Sequence, residues 1–220
     1  MARRDARPKR AAFAKRLIIM AKSPVLGRVK RRLASEVGDV AALRFYRASL
    51  AHTLQRLAGY SCWHTLIAVS PDRDLDARFW PRNVARIPQG RGDLGSRMQR
   101  LFARMPPGPV VIVGSDIPAL SSRHVAKAFA LLGDTDAVLG PAPDGGYWLI
   151  GLKRIPKLLR PFTGVRWSGP HALADTLANL EGKRVALAPL LSDVDTGMDL
   201  KRIRVSGRLI AGAGLSRTDG

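Results

Sequence analysis

The stretch VVIVGSDIPAL, Val110–Leu120, ends an apolar run in Gly-Ser and then delivers one carboxylate, Asp116. An apolar run of this length, bounded by glycine and proline, predicts a strand buried on both faces, as in parallel α/β sheets. Ligands of such sheets bind beyond the carboxyl ends of the strands. An aspartate at that place can hold a hard divalent cation against phosphates. The competing use is local, because Ser115, Asp116 or Ser121 could instead cap the helix that follows.

Four other features bear on that choice. In KSPVLGRVKRRL, Lys22–Leu33, a loop containing Pro24 and Gly27 is surrounded by Lys22, Arg28, Lys30, Arg31 and Arg32 at the start of a helix. Backbone N–H groups at a helix start, joined by cations, make a phosphate cradle. The glycine spacing and Lys-Ser/Thr pair of a Walker A loop are absent, and the bland alternative is a basic, solvated helix start. GRGDLG, Gly90–Gly95, is a literal G-x-G-x-x-G that opens a helix. Asp116 follows about 20 residues later, which outlines a dinucleotide site. Against that outline stand Asp93, a carboxylate inside the loop, and the short strand before Pro88-Gln89.

In GPAPDGGYWLIGL, Gly140–Leu152, Gly145 and Gly146 permit close approach of backbone to a ligand, and Asp144 offers a carboxylate there. Tyr147 and Trp148 could stack on a sugar or base; otherwise DGG supplies only the turn of a hairpin. In SDVDTGMDL, Ser192–Leu200, one aspartate of the Asp193/Asp195 pair is expected to share a site with Asp116. The alternative is that Asp195 or Thr196 caps the helix holding Met198 and Leu200.

The elements that must position these residues follow from hydrophobic periodicity. Strands are predicted at Leu17–Ala21, Trp63–Ser70, Val84–Ile87, Val110–Val113, Ala137–Leu139, Tyr147–Leu152 and Arg184–Leu187. Helices are predicted at Asp39–Ala58, Asp74–Trp80, Leu94–Met105, Ser122–Leu132 and His171–Leu180. In the first of these Leu43, Tyr46, Leu50, Leu54 and Leu57 form one apolar stripe. Strands alternating with helices predict an α/β domain with a mostly parallel sheet. One domain over residues 17–207 is expected, after a basic tail over 1–16 without fixed structure and before a frayed end over 208–220.

Composition narrows the function classes. The chain has 220 residues, 46% hydrophobic and 25% charged, which is ordinary for a globular protein. Its single cysteine, Cys62, excludes an internal disulfide framework and a cysteine-based zinc site. No apolar run approaches the roughly 20 residues needed to cross a bilayer, and LIIMA is too short for a signal-peptide core. A cytoplasmic protein is the expectation. The net charge of +20 suits phosphorylated partners, but the cations are scattered and carry no nucleic-acid-binding signature, so direct nucleic-acid binding is not expected.

Taken in order, KSPVLGRVKRRL, QGRGDLGSRM, VGSDIPAL, GPAPDGGYWLIGL, VRWS and DVDTGMDL resemble the radical-SAM/selenodomain-associated transferases, small bacterial members of the nucleotide-diphospho-sugar transferase superfamily. The resemblance runs over most of the chain, from Leu17 to Leu200. It implies a single-domain GT-A-like fold, a three-layer α/β/α sandwich around a mostly parallel sheet. Members are provisionally labelled glycosyltransferases, and some are linked to arsenosugar biosynthesis. The wider superfamily includes guanylyltransferases for phospholactate and for the molybdenum cofactor, which share a basic first loop and a metal-binding aspartate after a central strand. The chain departs from the family pattern at Leu26, where a second proline is more frequent, and at Arg31, where threonine is common. Gly197-Met198 replaces the frequent Pro-Glu.

What the resemblance implies is a divalent-metal-dependent transferase acting on a nucleotide-diphosphate donor, first of all a glycosyltransferase using a nucleotide sugar. The alternative is a nucleotidylyltransferase that joins an NTP to a phosphorylated or hydroxylated small molecule and releases pyrophosphate. More distant alternatives are an NAD(P)-dependent oxidoreductase and a nucleotide-binding module without catalysis. In this reading Asp116 and Asp195 hold Mg²⁺ or Mn²⁺, and Lys22, Gly27, Arg28, Lys30 and Arg32 contact phosphate, with Lys30 also assisting catalysis. Gly92, Asp93, Leu94 and Gly95 border the nucleotide, and Gly145 and Gly146 the substrate. Asp144 contacts the sugar or activates an acceptor hydroxyl, and Trp167 stacks on a sugar face.

Overall fold

The computed structural model describes residues 13–155, 157–194 and 196–200. Seven strands form one sheet: β1 (Arg16–Lys22), β2 (His64–Ser70), β3 (Ala85–Pro88), β4 (Val110–Gly114), β5 (Ala137–Pro141), β6 (Tyr147–Leu152) and β7 (Val185–Leu187). Their spatial order is β3-β2-β1-β4-β6-β5-β7. The helices are α1 (Arg31–Val37), α2 (Asp39–Leu57), α3 (Leu94–Arg104), α4 (Ser122–Asp134) and α5 (Ala172–Ala178).

Alternation along the central strands sorts the core into two layers. Leu17, Ile19 and Ala21 of β1 join Ile67, Val111 and Val113 beneath Tyr46, Leu50 and Leu54 of α2 and Phe129 of α4. Ile18, between them, joins Ala68, Val110 and Ile112 beneath Met98, Leu101 and Phe102 of α3 on the other side. Both faces of β1 and β4 are therefore covered, which is why these strands read as continuous apolar runs. Each fully buried leucine or isoleucine here stabilises the fold by about 1.5–3 kcal/mol relative to exposure. The expected three-layer α/β/α architecture is present.

The register places Ile19 of β1 between Ile67 of β2 and Val113 of β4, with all three strands parallel. β6 runs antiparallel to both β4 and β5, whereas β7 pairs parallel with β5. Strand order reverses between β1 and β4. That crevice, outside the carboxyl ends of two parallel strands, is where open α/β sheets bind ligands.

Two expectations change, and the helix expected at the end of the basic loop is present. The segment after Pro71 forms only a 3₁₀ turn at Asp72–Asp74, not a helix over Asp74–Trp80. Trp80 is buried and its indole N–H donates to the Asp74 carbonyl at 2.9 Å, closing the segment as a loop. A helix over Arg31–Val37, only seven residues long, is what the basic loop leads into. β1 begins at Arg16, and the His64 N–H donates to the Lys15 carbonyl at 2.9 Å, so ordered pairing reaches into the expected basic tail. The rest of that tail, residues 1–12, lies outside the described residues, as do 201–220, which hold the expected domain end and C-terminal tail. Among the described residues no helix is long and apolar enough to cross a membrane.

Candidate active site

Two side chains converge at the crevice. Asp116 follows β4 immediately and Lys30 ends the loop after β1; their charged groups form an ion pair. The Lys30 side chain is 6% exposed and that of Asp116 27%. Lys30 sits at the N-cap of α1 with φ 48° and ψ 49°. This left-handed conformation costs a non-glycine residue roughly 1–2 kcal/mol. Strain of this kind collects at functional sites, where surrounding structure holds it in place.

The surrounding structure is visible. Tyr46 of α2 is buried, accepts from the Lys22 N–H at 2.8 Å and donates to the Lys22 carbonyl at 2.9 Å. Its hydroxyl also lies 3.3 Å from the Ser115 hydroxyl. Ser49 and Thr53, on the same face of α2, donate to the Ser115 carbonyl at 3.3 and 3.4 Å. One helix thus clamps the ends of β1 and β4 together and fixes the backbone beside Asp116. Burial, followed by the charge of Asp116, pushes the Tyr46 phenol up to about 12, so it stays a neutral donor. In the sequence Tyr46 falls on the apolar stripe of α2, and a tyrosine among leucines is the signal there of a polar task.

The capping alternative for Asp116 is resolved by α4. Ser121 is the N-cap, its N–H donating to His124 Nδ1 at 3.1 Å in a reciprocal capping arrangement. Asp116 lies outside it.

A cleft of about 440 Å³ opens over this crevice. Its charged lining is Lys22, Arg28, Lys30, Arg31, Arg32, Arg97 and the single carboxylate of Asp116. Gly27, at φ +69°, makes the turn in the loop that carries these cations. α1 is only two turns long, so the positive charge of the cleft comes chiefly from these side chains. Arg97 and Gln89, which also line the cleft, escaped the sequence reading. Gln89 is buried and donates to the Ala68 and Ala21 carbonyls at 2.7 and 3.3 Å, tying β1 to β2.

The glycine loop before α3 is put to structural use. Asp93 is the N-cap of α3, accepting from the Ser96 N–H at 2.7 Å. Its carboxyl is accordingly held below the usual carboxylate range. Arg97 donates to the Gly92 carbonyl and Arg100 to those of Gln89 and Arg91. Gly95 is buried because the Trp167 indole and Phe162 pack where its side chain would be: an added Cβ would stand 2.7 Å from Trp167 Cζ2. Leu94 is exposed and reaches the cleft. β3 is the edge strand, away from the β1/β4 reversal, so the dinucleotide outline of GRGDLG does not correspond to a dinucleotide site.

A second cavity, about 270 Å³, adjoins the first at Asp116. Asp144, Gly146, Tyr147, Trp148, Trp167 and Asp193 line it. Asp144 Oδ1 accepts from the Gly146 N–H at 2.9 Å, the turn chemistry of the hairpin between β5 and β6. Gly145, at φ +80°, makes its close approach to the backbone of Pro170: an added Cβ would lie 2.3 Å from that carbonyl oxygen. The turn therefore seats the segment leading into α5 rather than leaving room at Gly145 for a ligand. Arg166, next to Trp167, donates to both oxygens of Asp175, which is held well below the carboxylate range by that contact.

Asp195 lies outside the described residues. Its neighbour Asp193 lines the cavity with Asp116, while Val194 is fully buried against Leu33, Ala42 and Phe45. Residues two apart along an extended chain share a face, so spacing offers no ground for preferring Asp195 to Asp193. Thr196 and Asp199 cap each other's backbone: the Thr196 N–H donates to Asp199 Oδ2 at 3.0 Å, and the Asp199 N–H to Thr196 Oγ1 at 3.2 Å. Among the described residues no three His, Cys, Asp or Glu side chains are grouped to hold a metal. Asp116 and Asp193 suit a hard cation that draws its other ligands from phosphate oxygens and water, as Mg²⁺ commonly does.

Residues 53–169, just over half of the chain, match the family described as "Uncharacterized protein conserved in bacteria (DUF2064)". The chain belongs to this family. The matched DUF2064 region runs from α2 through β6 to the Trp167 loop and includes Asp116 and Asp144. The chain is also 29% identical to a 2-phospho-L-lactate guanylyltransferase of Methanopyrus kandleri, over 81% of this chain and 86% of that protein. A crystal structure from Desulfovibrio desulfuricans, provisionally named a nucleotide-diphospho-sugar transferase, is 29% identical, covers 90% of each chain and superposes with a TM-score of 0.82. A Mycobacterium tuberculosis protein solved in complex with manganese shares the fold at 18% identity and a TM-score of 0.53, covering 87% of this chain and 98% of that one. The fold of this DUF2064 member is that of the nucleotide-diphospho-sugar transferases and nucleotidyltransferases, and with these relatives the chain is a transferase.

Proposed function

We propose that this DUF2064 protein is a divalent-metal-dependent nucleotidylyltransferase that binds an NTP in the basic cleft and transfers its nucleotidyl group to a small-molecule acceptor. The observation that carries the reading is the charge of the cleft: Lys22, Arg28, Lys30, Arg31, Arg32 and Arg97 surround one carboxylate, Asp116. A triphosphate needs more cationic contact than a nucleotide sugar, and Lys30 is positioned by its pair with Asp116 to meet it. The guanylyltransferase relative from Methanopyrus kandleri supports the same reaction class.

Asp116 and Asp193 would hold Mg²⁺ or Mn²⁺, and a bound cation would neutralise charge on the donor's phosphate oxygens. The chain's own groups do the rest. The loop cations orient the phosphates, and the clamp by Tyr46 keeps the loop and β4 at fixed separation. The acceptor oxygen bonds to the α-phosphorus, the bond from that phosphorus to pyrophosphate breaks, and pyrophosphate leaves with the electron pair. When the acceptor oxygen is a hydroxyl, its proton passes to the carboxylate of Asp144, whose Oδ1 is oriented by the Gly146 N–H.

Glycosyl transfer from a nucleotide sugar is the second reading, favoured by the Desulfovibrio desulfuricans neighbour and by Trp167 at the wall of the smaller cavity. The finer kinship with the radical-SAM/selenodomain-associated transferases belongs to this proposal as well. Incubating the protein and Mg²⁺ or Mn²⁺ with NTPs or nucleotide sugars and an acceptor panel separates the reactions. Release of pyrophosphate from an NTP supports the first, and release of a nucleoside diphosphate from a nucleotide sugar replaces it with the second.

A further inference from the structure

The short helix α1 carries a functional group at each end. Lys30, at its N-cap, pairs with Asp116, and the Ala34 N–H donates to the Lys30 carbonyl at 2.8 Å, which joins that residue to the helix. Near the other end, Glu36 Oε2 accepts from the Gly197 N–H at 2.9 Å, although the two residues are 161 apart in sequence. Gly197 is buried, and an added Cβ there would stand 2.7 Å from Glu36 Oε2. A helix of seven residues is about 10 Å long, and its hydrogen bonds keep the two ends at a fixed separation.

The segment that Glu36 holds is the one that brings Asp193 to the cavity it shares with Asp116. Val194 and Leu200, on either side of Gly197, are buried against Leu33, Ala42 and Phe45. Those contacts hold the segment against α1 and α2, but hydrophobic attraction is non-directional and tolerates sliding. The bond from the Gly197 N–H to a carboxylate is directional and charge-assisted, so it fixes where the segment lies along α1. Glu36 itself lines neither cavity.

We infer that Glu36 is a positioning residue for the metal site: through the Gly197 N–H it sets where Asp193 stands relative to Asp116 and Lys30. One helix then places both the lysine that meets the donor phosphates and the segment that carries the second carboxylate. The inference rests on the proposed metal site of Asp116 and Asp193. Groups hydrogen-bonded behind a metal ligand commonly alter metal affinity about 10- to 100-fold. Glu36 acts one step further back, through the backbone, so a smaller effect is expected.

The test titrates Mn²⁺ calorimetrically into the full-length protein, alone and with each NTP. Glu36→Ala should weaken Mn²⁺ binding at least about fivefold. Glu36→Gln, whose amide oxygen still accepts from the Gly197 N–H, should keep most of the affinity. Gly197→Pro removes the donor, and should weaken binding by itself but add little to the loss in Glu36→Ala. Thr65→Ala removes a hydroxyl bonded to the Leu57 carbonyl at the start of β2, away from the crevice, and should lower stability without moving Mn²⁺ affinity. Circular dichroism establishes folding, and if Glu36→Ala does not fold, Gly197→Pro carries the same test. Unchanged Mn²⁺ affinity in the folded variant, or an equal loss in Thr65→Ala, overturns the inference. Failure of the metal reading is seen separately, as no Mn²⁺ binding by the unaltered protein in any sample, and it overturns this inference as well.

Discussion

The Lys30 ammonium is paired with the Asp116 carboxylate across the crevice between β1 and β4, and neither residue takes part in capping α4. This arrangement separates two roles that share a short segment. Asp116→Asn is expected to abolish metal-dependent nucleotide binding. Ser121→Ala, which removes the true cap, should cost about 1 kcal/mol of stability while leaving that binding intact. Calorimetric nucleotide titrations and denaturant melts of the two variants check both outcomes; binding by Asp116→Asn at the unaltered affinity would remove Asp116 from the site.

Tyr46→Phe deletes the hydroxyl that holds the Lys22 backbone and touches Ser115. The Lys22 N–H is left without its partner, so a loss of about 1–3 kcal/mol is expected. Nucleotide affinity should fall as well, because the basic loop keeps only weaker ties to α2, such as that from Arg47 to the Pro24 carbonyl at 3.3 Å. Urea unfolding and nucleotide titration of this one variant measure the two effects.

Stability should decline in alkaline solution through the same residue. Burial raises the Tyr46 phenol from 10.0 to about 12, and burial raises Tyr147 too. The folded protein therefore keeps protons that the unfolded chain has begun to release. The stabilisation is complete below pH 10 and is lost as pH rises toward 12. Melting temperatures taken at intervals from pH 8.5 upward should fall in this window, and the fall should be shallower in Tyr46→Phe.

Gly145→Ala and Gly95→Ala test whether these glycines serve packing. At Gly145 an added Cβ would meet the Pro170 carbonyl oxygen at 2.3 Å in a backbone already at φ +80°. At Gly95 it would meet Trp167 Cζ2 at 2.7 Å and Phe162 Cβ at 2.9 Å. Overpacking of this kind costs about 1–3 kcal/mol, and Gly145 carries backbone strain in addition. Both variants should melt at lower temperature; an unchanged melting temperature for Gly145→Ala would leave ligand approach as the reason for that glycine.

Metal removal offers the broadest check on the donor site. With NTP at about 100 times its dissociation constant, binding should stabilise the protein by about 2.7 kcal/mol. EDTA should remove that stabilisation, and Mg²⁺ or Mn²⁺ should restore it. A nucleotide shift indifferent to EDTA would argue against a bridging cation.

The alternation of apolar runs and amphipathic helices was enough to read β1, β2, β4 and α2–α4 from the chain, because their burial is dictated by side-chain periodicity. The placement of Asp116 at a strand end, and of Lys22–Lys30 after the first strand, followed from the same reading. GRGDLG was harder, since a glycine spacing looks the same whether it admits a ligand or a tryptophan. Only the packing of Trp167 over Gly95 and the capping by Asp93 distinguish these. Between Asp193 and Asp195 no local signal says which carboxylate faces a cavity built from residues far away in sequence; Asp193 lines it, and Asp195 lies outside the described residues.

By itself the sequence determined an α/β chain, the strand that ends at Asp116 and the cluster of cations following β1, since periodicity, turn residues and charge are local properties. Tertiary structure alone decided that β1 and β4 are neighbours at the reversal of strand order, and hence that Lys30 meets Asp116. It also decided that the cations of the first loop and Arg97 line one cavity, while Asp144 and Asp193 line another that adjoins it at Asp116. Electrostatic character belongs to the volume in which side chains converge, and convergence is set by strand order, which no residue spacing encodes.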